Sequence, residues 1–193
     1  MKNLLFFSHN YKKILEVEKI FDNKDIKISS LRSFEKIKEP DENGLSFAEN
    51  AKIKSSYGLK NFNTPCFADD SGLCVEALKN KPGIKSKRFL DSFNKNINAF
   101  EYIIAQVIKS KNSRAFFKTA ICLSIKKNHH IVFEGRVTGR ISEKPSGLGG
   151  FGYDPIFIPD GYNKTFAEMS IRGKNKISHR KIALAKMESF LFN

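Results

Sequence analysis

No apolar run in this 193-residue chain approaches the roughly 18 uncharged positions that a membrane span requires. The short apolar start Leu4-Leu-Phe-Phe7 breaks at Ser8-His-Asn10, so neither secretion nor membrane insertion is expected. Cysteine is scarce. Cys66, Cys74 and Cys122 are odd in number, lack metal-type pair spacing and sit in apolar surroundings, which predicts buried reduced thiols and a reducing, cytoplasmic setting. The GxxxxGKS/T pattern is missing, which excludes a P-loop NTPase, and there is no internal repeat, low-complexity tract or linker. Acidic residues are outnumbered, 20 against 34 basic ones, for a net charge of +14 that favours polyanions: nucleic acid, nucleotides or a membrane surface. The lysines are spread along the chain, and the densest segments, Lys79 to Arg88 and Arg172 to Lys181, contain or adjoin ordered motifs, unlike a free basic tail.

With 40% hydrophobic residues the composition is that of a globular chain, long enough for one sizeable core or two small lobes sharing a cleft. Hydrophobic periodicity gives alternating elements. Asn3 to Ser8 reads as a buried strand, followed by a helix over Lys12 to Phe21 with Ile14, Leu15, Val17, Ile20 and Phe21 on one face. A second strand covers Ile26 to Leu31, and Ser46-Phe-Ala-Glu49 is a capping box opening a helix to about Leu59. Cys66 to Asp69 and Leu73 to Ala77 read as short strands around an acidic turn, and Asn98 to Lys109 as an apolar helix. Ala115 to Ile125 and His130 to Ile141 are β-rich and suited to pair with each other. A strand at Pro155 to Ile158, a helix start at Thr165-Phe-Ala-Glu168 and a last helix from Ser178 to about Phe192 complete an α/β chain with a mixed sheet.

Chemistry concentrates in a few segments. Ala68-Asp-Asp-Ser-Gly-Leu73 ends an apolar run with two carboxylates at a turn, a presentation that suits a hard cation such as Mg²⁺; an ordinary polar turn has the same composition. Glu42, in the acidic stretch Glu39 to Gly44, is a further oxygen donor toward Asp69 or Asp70. Ser8-His-Asn-Tyr-Lys-Lys13 stands where a helix begins, a place that binds phosphate through unpaired N–H groups, although Ser8 or Asn10 can equally be a simple cap. Asn50 and Lys54, four apart, share a helical face and can point at one phosphate chain. Gly147-Leu-Gly-Gly-Phe-Gly152 matches GxGxxG, but Pro145 precedes it and Asp154-Pro155 follows, so the dinucleotide reading fails. Its glycines and aromatics point instead to backbone close to a planar ligand, with a ring available for stacking. Lys174-Asn-Lys-Ile-Ser-His-Arg180 supplies donors suited to base carbonyl oxygens.

Taken in order, these segments resemble the inosine/xanthosine triphosphate pyrophosphatases. The likeness runs through Ser8-x-Asn10-x-x-Lys13, Glu42-x-Gly-x-Ser-Phe-x-Glu-Asn-Ala51, Ala68-Asp-Asp-Ser-Gly-Leu73 and Pro82-Gly-x-x-Ser-x-Arg-Phe89. It continues through Gly149-Gly-Phe-Gly-Tyr-Asp-Pro155, Thr165-Phe-Ala-Glu168 and Lys174-Asn-x-Ile-Ser-His-Arg180. The resemblance implies a single domain over 1–193, an elongated mixed β-sheet with two α/β lobes flanking a central active-site cleft. It also implies a homodimer, a Mg²⁺ cofactor, and hydrolysis of ITP, dITP and XTP to the monophosphate and pyrophosphate. Carried over residue by residue, Asp70 matches the proton acceptor, and Glu42 and Asp70, with Asp69 close by, match the metal-binding set. Ser8, His9, Asn10, Tyr11, Lys12, Lys13, Lys54 and Ser71 match the phosphate side, and Phe151, Gly152, Tyr153, Asp154, Lys174, His179 and Arg180 the base side. Two positions depart from the family pattern: His9 stands where Gly is usual and is expected to add a phosphate contact, and Lys87 replaces the usual Ala. Alternatives are a related pyrophosphatase acting on pyrimidine or modified nucleotides, for which the His179-Arg180 segment gives no support, and a nucleic-acid-binding protein. The latter has no use for an acidic pair that repels phosphate unless a metal is bound, so neither nucleic acid nor membrane is expected as a partner.

Overall fold

The apolar run at the amino terminus becomes a buried strand, β1 (Lys2–Phe6), in a computed structural model that describes residues 2–22, 26–34 and 37–192. Both its edges carry parallel partners: β2 (Ile26–Ser30), in register from Lys2↔Ile26 to Phe6↔Ser30, and β3 (Cys66–Val75), paired at Leu5↔Cys66 and Phe6↔Phe67. A strand enclosed in this way reads as a continuous apolar stretch rather than an alternating one, and Leu4, Leu5, Phe6 and Phe7 are all buried. With β4 (Lys81–Pro82), β5 (Arg114–Lys126), β6 (His129–Ile141) and β7 (Phe157–Pro159) the mixed sheet has the order β2-β1-β3-β5-β6-β7, and β4 pairs with β3. The helices are α1 (Tyr11–Phe21), α2 (Phe47–Phe62), α3 (Ser86–Asp91), α4 (Asn96–Ser110), α5 (Ile171–Ile177) and α6 (His179–Phe192). Among the described residues no helix is long and apolar enough to cross a membrane.

The chain divides into two compact units, the first comprising Met1–Asp70, Thr119–Glu134 and Lys181–Asn193, the second Ser71–Lys118 and Gly135–Arg180. In the first, Ile14, Val17 and Phe21 of α1 pack with Leu4, Phe6, Phe67, Ile121, Leu123 and Met187, and the Phe6 and Phe67 rings stack at 4.9 Å. In the second, Phe100, Ile103 and Val107 of α4 pack with Leu73, Val75, Phe117, Tyr153, Phe157 and Phe166. Each such fully buried side chain contributes about 1.5 to 3 kcal/mol of transfer free energy, so each unit has its own source of stability. All three cysteines are free and buried, as their apolar neighbours predict.

Three elements differ from the sequence reading. The acidic turn does not exist: β3 runs unbroken through Asp69, Asp70, Ser71 and Gly72. Gly72 is not among the positive-φ glycines, and it serves for space, since a Cβ there would strike the Gly83 carbonyl oxygen and Ser86 Oγ. Thr165 to Glu168 closes a reciprocal box, Thr165 N–H donating to Glu168 Oε2 at 2.8 Å and Glu168 N–H to Thr165 Oγ1 at 3.3 Å, but the box caps an isolated turn and the helix begins only at Ile171. Pro155 is in a 3₁₀ turn, so the following strand starts two residues late, at Phe157.

The close approach at Gly72 is held by hydrogen bonds. Leu73 N–H donates to Ser86 Oγ at 2.9 Å, Ser86 Oγ donates to Gly83 O at 2.7 Å, and Tyr153 Oη donates to Ser86 O at 2.8 Å. Gly72→Ala should therefore destabilise the protein by about 1 to 3 kcal/mol, read as a lowered urea midpoint, because the atom in the way is backbone. An unchanged midpoint would show that the 83–86 segment gives way freely.

Candidate active site

β1 stops at Phe6 whereas β3 continues to Val75, so Asp69 and Asp70 lie just past the carboxyl end of β1, next to the segment that turns into α1. The carboxyl ends of parallel strands are where open α/β sheets place ligands. Successive residues of a strand point to opposite faces, and the two carboxylates have different partners. Asp69 is paired with Lys13 Nζ, at 3.1 Å to Oδ1 and 3.0 Å to Oδ2. Asp70 Oδ2 accepts from Asn50 Nδ2 at 3.1 Å.

Asn50 and Lys54 belong to the inward stripe of α2, together with Phe47, Ala51, Ser55 and Gly58. Ser46 Oγ caps this helix by accepting from Glu49 N–H at 3.2 Å, as the sequence indicates. Gly58 brings α2 close to the sheet, because a Cβ there would strike Cys66 Sγ and the Phe7 ring. A glycine inside a helix costs about 1 kcal/mol relative to alanine, and here it is what permits the approach. Lys54 Nζ reaches Glu42 Oε1 at 2.7 Å. Burial pulls the Lys54 pKa down, but Asp69, Asp70 and Glu42 outweigh it and the net direction is upward, so this lysine stays charged. Asp70 goes the other way for a carboxylate: burial, reinforced by Glu42, pushes it up to about 6 against the opposing pull of Lys54, Lys13 and Asn50.

The Ser8 to Lys13 segment is arranged differently from a phosphate loop with open N–H groups. Asn10 Oδ1 caps α1, accepting from Lys12 N–H at 3.1 Å and Lys13 N–H at 3.2 Å, while Ser8 Oγ accepts from Asn10 N–H at 3.1 Å. Tyr11 is exposed, with the Arg32 guanidinium 4.7 Å from its ring centroid. The His9 ring faces protein: its Nε2 lies 2.9 Å from the Ile37 carbonyl oxygen. Asn50 is the group whose role the sequence reading missed. Its side chain points not outward to a ligand but to Asp70 on one side and to Gly44 N–H, 2.8 Å from Oδ1, on the other. The signal available was its place on the same stripe as Phe47 and Ala51.

The second unit gathers the other predicted residues. Asp154 Oδ2 accepts from Lys174 Nζ at 2.6 Å and from Phe151 N–H at 2.7 Å, a buried ion pair with further hydrogen bonding of the kind that makes such burial tolerable. Gly150, at φ +69°, has no room for a Cβ against Asp154 Oδ2, and Gly152 is at φ +60°. The Phe151 ring has Lys174 Nζ at 4.7 Å and Arg180 Cζ at 5.6 Å from its centroid. His179 stacks on Phe117 at 4.7 Å and 7°, and Arg180 Nη2 donates to Ser71 Oγ at 3.2 Å. Tyr153 is separate from this group: its ring is 3% exposed in the core, so any ligand contact at this position is through main chain.

Because burial raises Asp70 above its unfolded value of about 4, the folded chain holds this proton more tightly than the unfolded chain between about pH 4 and pH 6. That contribution to stability is complete below pH 4 and lost as pH rises through 6. Asp70→Asn, which cannot ionise, should raise the melting temperature in EDTA by several degrees at pH 8 and by little at pH 4, on the order of 2 kcal/mol at most. A pH-independent effect would mean that Asp70 titrates normally.

The Ham1 family model matches residues 4–190. A dITP/XTP pyrophosphatase of Christiangramia forsetii is 38% identical over 188 residues, covering 97% of this chain and 98% of that protein. A dITP/XTP pyrophosphatase of Bacillus subtilis is 36% identical over 193 residues, 99% of this chain and 98% of its own length. Among solved structures, the Staphylococcus aureus Ham1 protein is similar with a TM-score of 0.86 at 36% identity and 98% coverage of both chains. A HAM1 protein from Coxiella burnetii gives 0.90 at 31% identity, covering 99% of this chain and 98% of that one. Matching motifs, fold and near-complete coverage agree, and the chain belongs to the Ham1 family.

Proposed function

We propose that this chain is a nucleoside-triphosphate pyrophosphatase that hydrolyses ITP, dITP and XTP to the monophosphate and pyrophosphate, with Asp70 as proton acceptor for the water that attacks the α-phosphorus. The observation that supports the mechanism is the placement of Asp70: a buried carboxylate held by Asn50 Nδ2 at 3.1 Å and facing the charge of Lys54. Carboxylates are among the side chains that act as general bases, and a base must first be held in position by its neighbours. Lys54 and Lys13 neutralise phosphate oxygens, and Ser71 adds a hydroxyl donor; phosphoryl transfer needs mainly such positioning and charge stabilisation.

The acid set fits Mg²⁺. Glu42 acts on Asp70 closely enough to raise its pKa, and Mg²⁺ characteristically uses one or two carboxylates and keeps its other positions for waters and substrate phosphates. Glu42 and Asp70 would hold it, with Asp69 nearby on Lys13. Bound there, Mg²⁺ supplies charge neutralisation for the leaving pyrophosphate.

Selectivity belongs to the second unit. Phe151 offers a ring for stacking on a base, and Lys174, His179 and Arg180 are donors. A 6-oxo purine meets these donors with an acceptor, whereas adenine presents an amino group and leaves them unpaired, at about 1 to 3 kcal/mol for each buried group. Cytoplasmic location and a homodimer, testable by size-exclusion chromatography, complete the proposal.

The deciding experiment measures pyrophosphate and orthophosphate released from ITP, XTP, GTP and ATP by the purified protein, with Mg²⁺ and with EDTA. Pyrophosphate from ITP and XTP, little from GTP or ATP, and loss in EDTA are the expected results; orthophosphate as product overturns the attack at the α-phosphorus. Asp70→Asn should lower turnover about 1,000-fold while ITP still binds. Retention of most turnover would remove Asp70 from the base role.

A further inference from the structure

We infer that His9 and Asn50 clamp the 37–44 segment at its two ends and so fix the Glu42 carboxylate beside Asp70, making both of them positioning residues and giving His9 a partner in protein rather than in phosphate. The inference rests on the reading of Glu42 and Asp70 as the working acid pair.

Residues 37–44 form no helix or strand, so no ladder of backbone bonds fixes where Glu42 sits. A few side-chain contacts do so instead. At the start of the segment, His9 Nε2 is 2.9 Å from Ile37 O, and His9 N–H donates to Glu39 Oε1 at 3.3 Å. A ring nitrogen facing a carbonyl oxygen must be the donor, which assigns the Nε2–H form to this contact. At the end, Gly44 N–H donates to Asn50 Oδ1 at 2.8 Å and Leu45 N–H to Glu49 Oε2 at 2.8 Å. Gly44 is itself part of the arrangement, because a Cβ at that position would lie 2.7 Å from Asn50 Oδ1 and 2.7 Å from Glu49 Cβ. Between the two anchors Glu42 Oε1 meets Lys54 Nζ at 2.7 Å.

The Asn50 amide cannot be turned over without loss. Its oxygen faces an N–H and its nitrogen faces the Asp70 carboxylate, so reversal would set two donors and two acceptors against each other. One buried amide therefore ties the acidic segment to Asp70 directly. His9 performs the same service from the segment that follows β1.

The test is hydrogen–deuterium exchange of the 37–44 amides in metal-free protein, for wild type, His9→Ala, His9→Gln and Asn50→Ala, paired with the Mg²⁺ concentration giving half-maximal pyrophosphate release from ITP. His9 is exposed, so its replacements are not expected to disturb the core. Loss of one hydrogen bond should speed exchange about fivefold in His9→Ala and Asn50→Ala and raise the Mg²⁺ midpoint by a similar factor. His9→Gln, whose amide nitrogen falls near the position of Nε2, should restore both. Unchanged exchange in His9→Ala with a raised KM for ITP at saturating Mg²⁺ would make His9 a phosphate ligand and overturn the clamp. If wild type releases no pyrophosphate from ITP, the pyrophosphatase reading fails, and the exchange rates still decide whether the segment is clamped.

Discussion

A carboxylate removed from water in the middle of a sheet is the constraint around which the first unit is arranged. Asp70 is 6% exposed on β3, and an unpaired charge there would be prohibitive. The surroundings do not abolish the cost; they divide it. Asn50 satisfies one oxygen and Lys54 and Lys13 supply positive potential, yet burial, reinforced by Glu42, still holds the carboxyl above its usual range. Lys54 in turn stays charged because it faces carboxylates. This mutual dependence explains why polar residues occupy the inward stripe of α2 and why Gly58 has no side chain to hold that helix away from the sheet.

The second unit solves a similar problem with different parts. Asp154 and Lys174 are buried together and Asp154 also accepts from Phe151 N–H, so that a glycine-rich segment without regular structure acquires a fixed conformation. The stacked rings of Phe117 and His179 set the beginning of α6, and Arg180, one residue on, reaches Ser71. Asp70 and Ser71, the residue to which the Arg180 guanidinium donates, are consecutive on β3.

Much of this was legible in the residues alone. The spacing of Ile14, Val17 and Phe21 identified α1 and its buried face, and Ser46 with Glu49 identified the start of α2. Those signals are local, involving neighbours within one or two turns, and local rules read them correctly. The acidic turn failed for the same reason: Asp-Asp-Ser-Gly has every local property of a turn, yet Gly72 is required by the Gly83 carbonyl, eleven positions away, and the aspartates are held by Lys13 and Asn50 from other elements. Thr165 to Glu168 forms its box faithfully but caps no helix; Phe166 N–H donates to Phe157 O and Ala167 N–H to Asp154 O.

The sequence by itself determined the class of fold, the ordered motifs and the types of chemical group brought to bear: carboxylates, lysines, a glycine-rich aromatic segment and a cationic helix start. These follow from composition and short-range order, which folding does not alter. Only the tertiary structure decided which carboxylate is perturbed, which lysine compensates which acid, and that Asn50 and His9 face protein. A side chain's pKa and its hydrogen-bond partner depend on burial and on atoms distant in sequence, and neither exists until the strands and helices have come together.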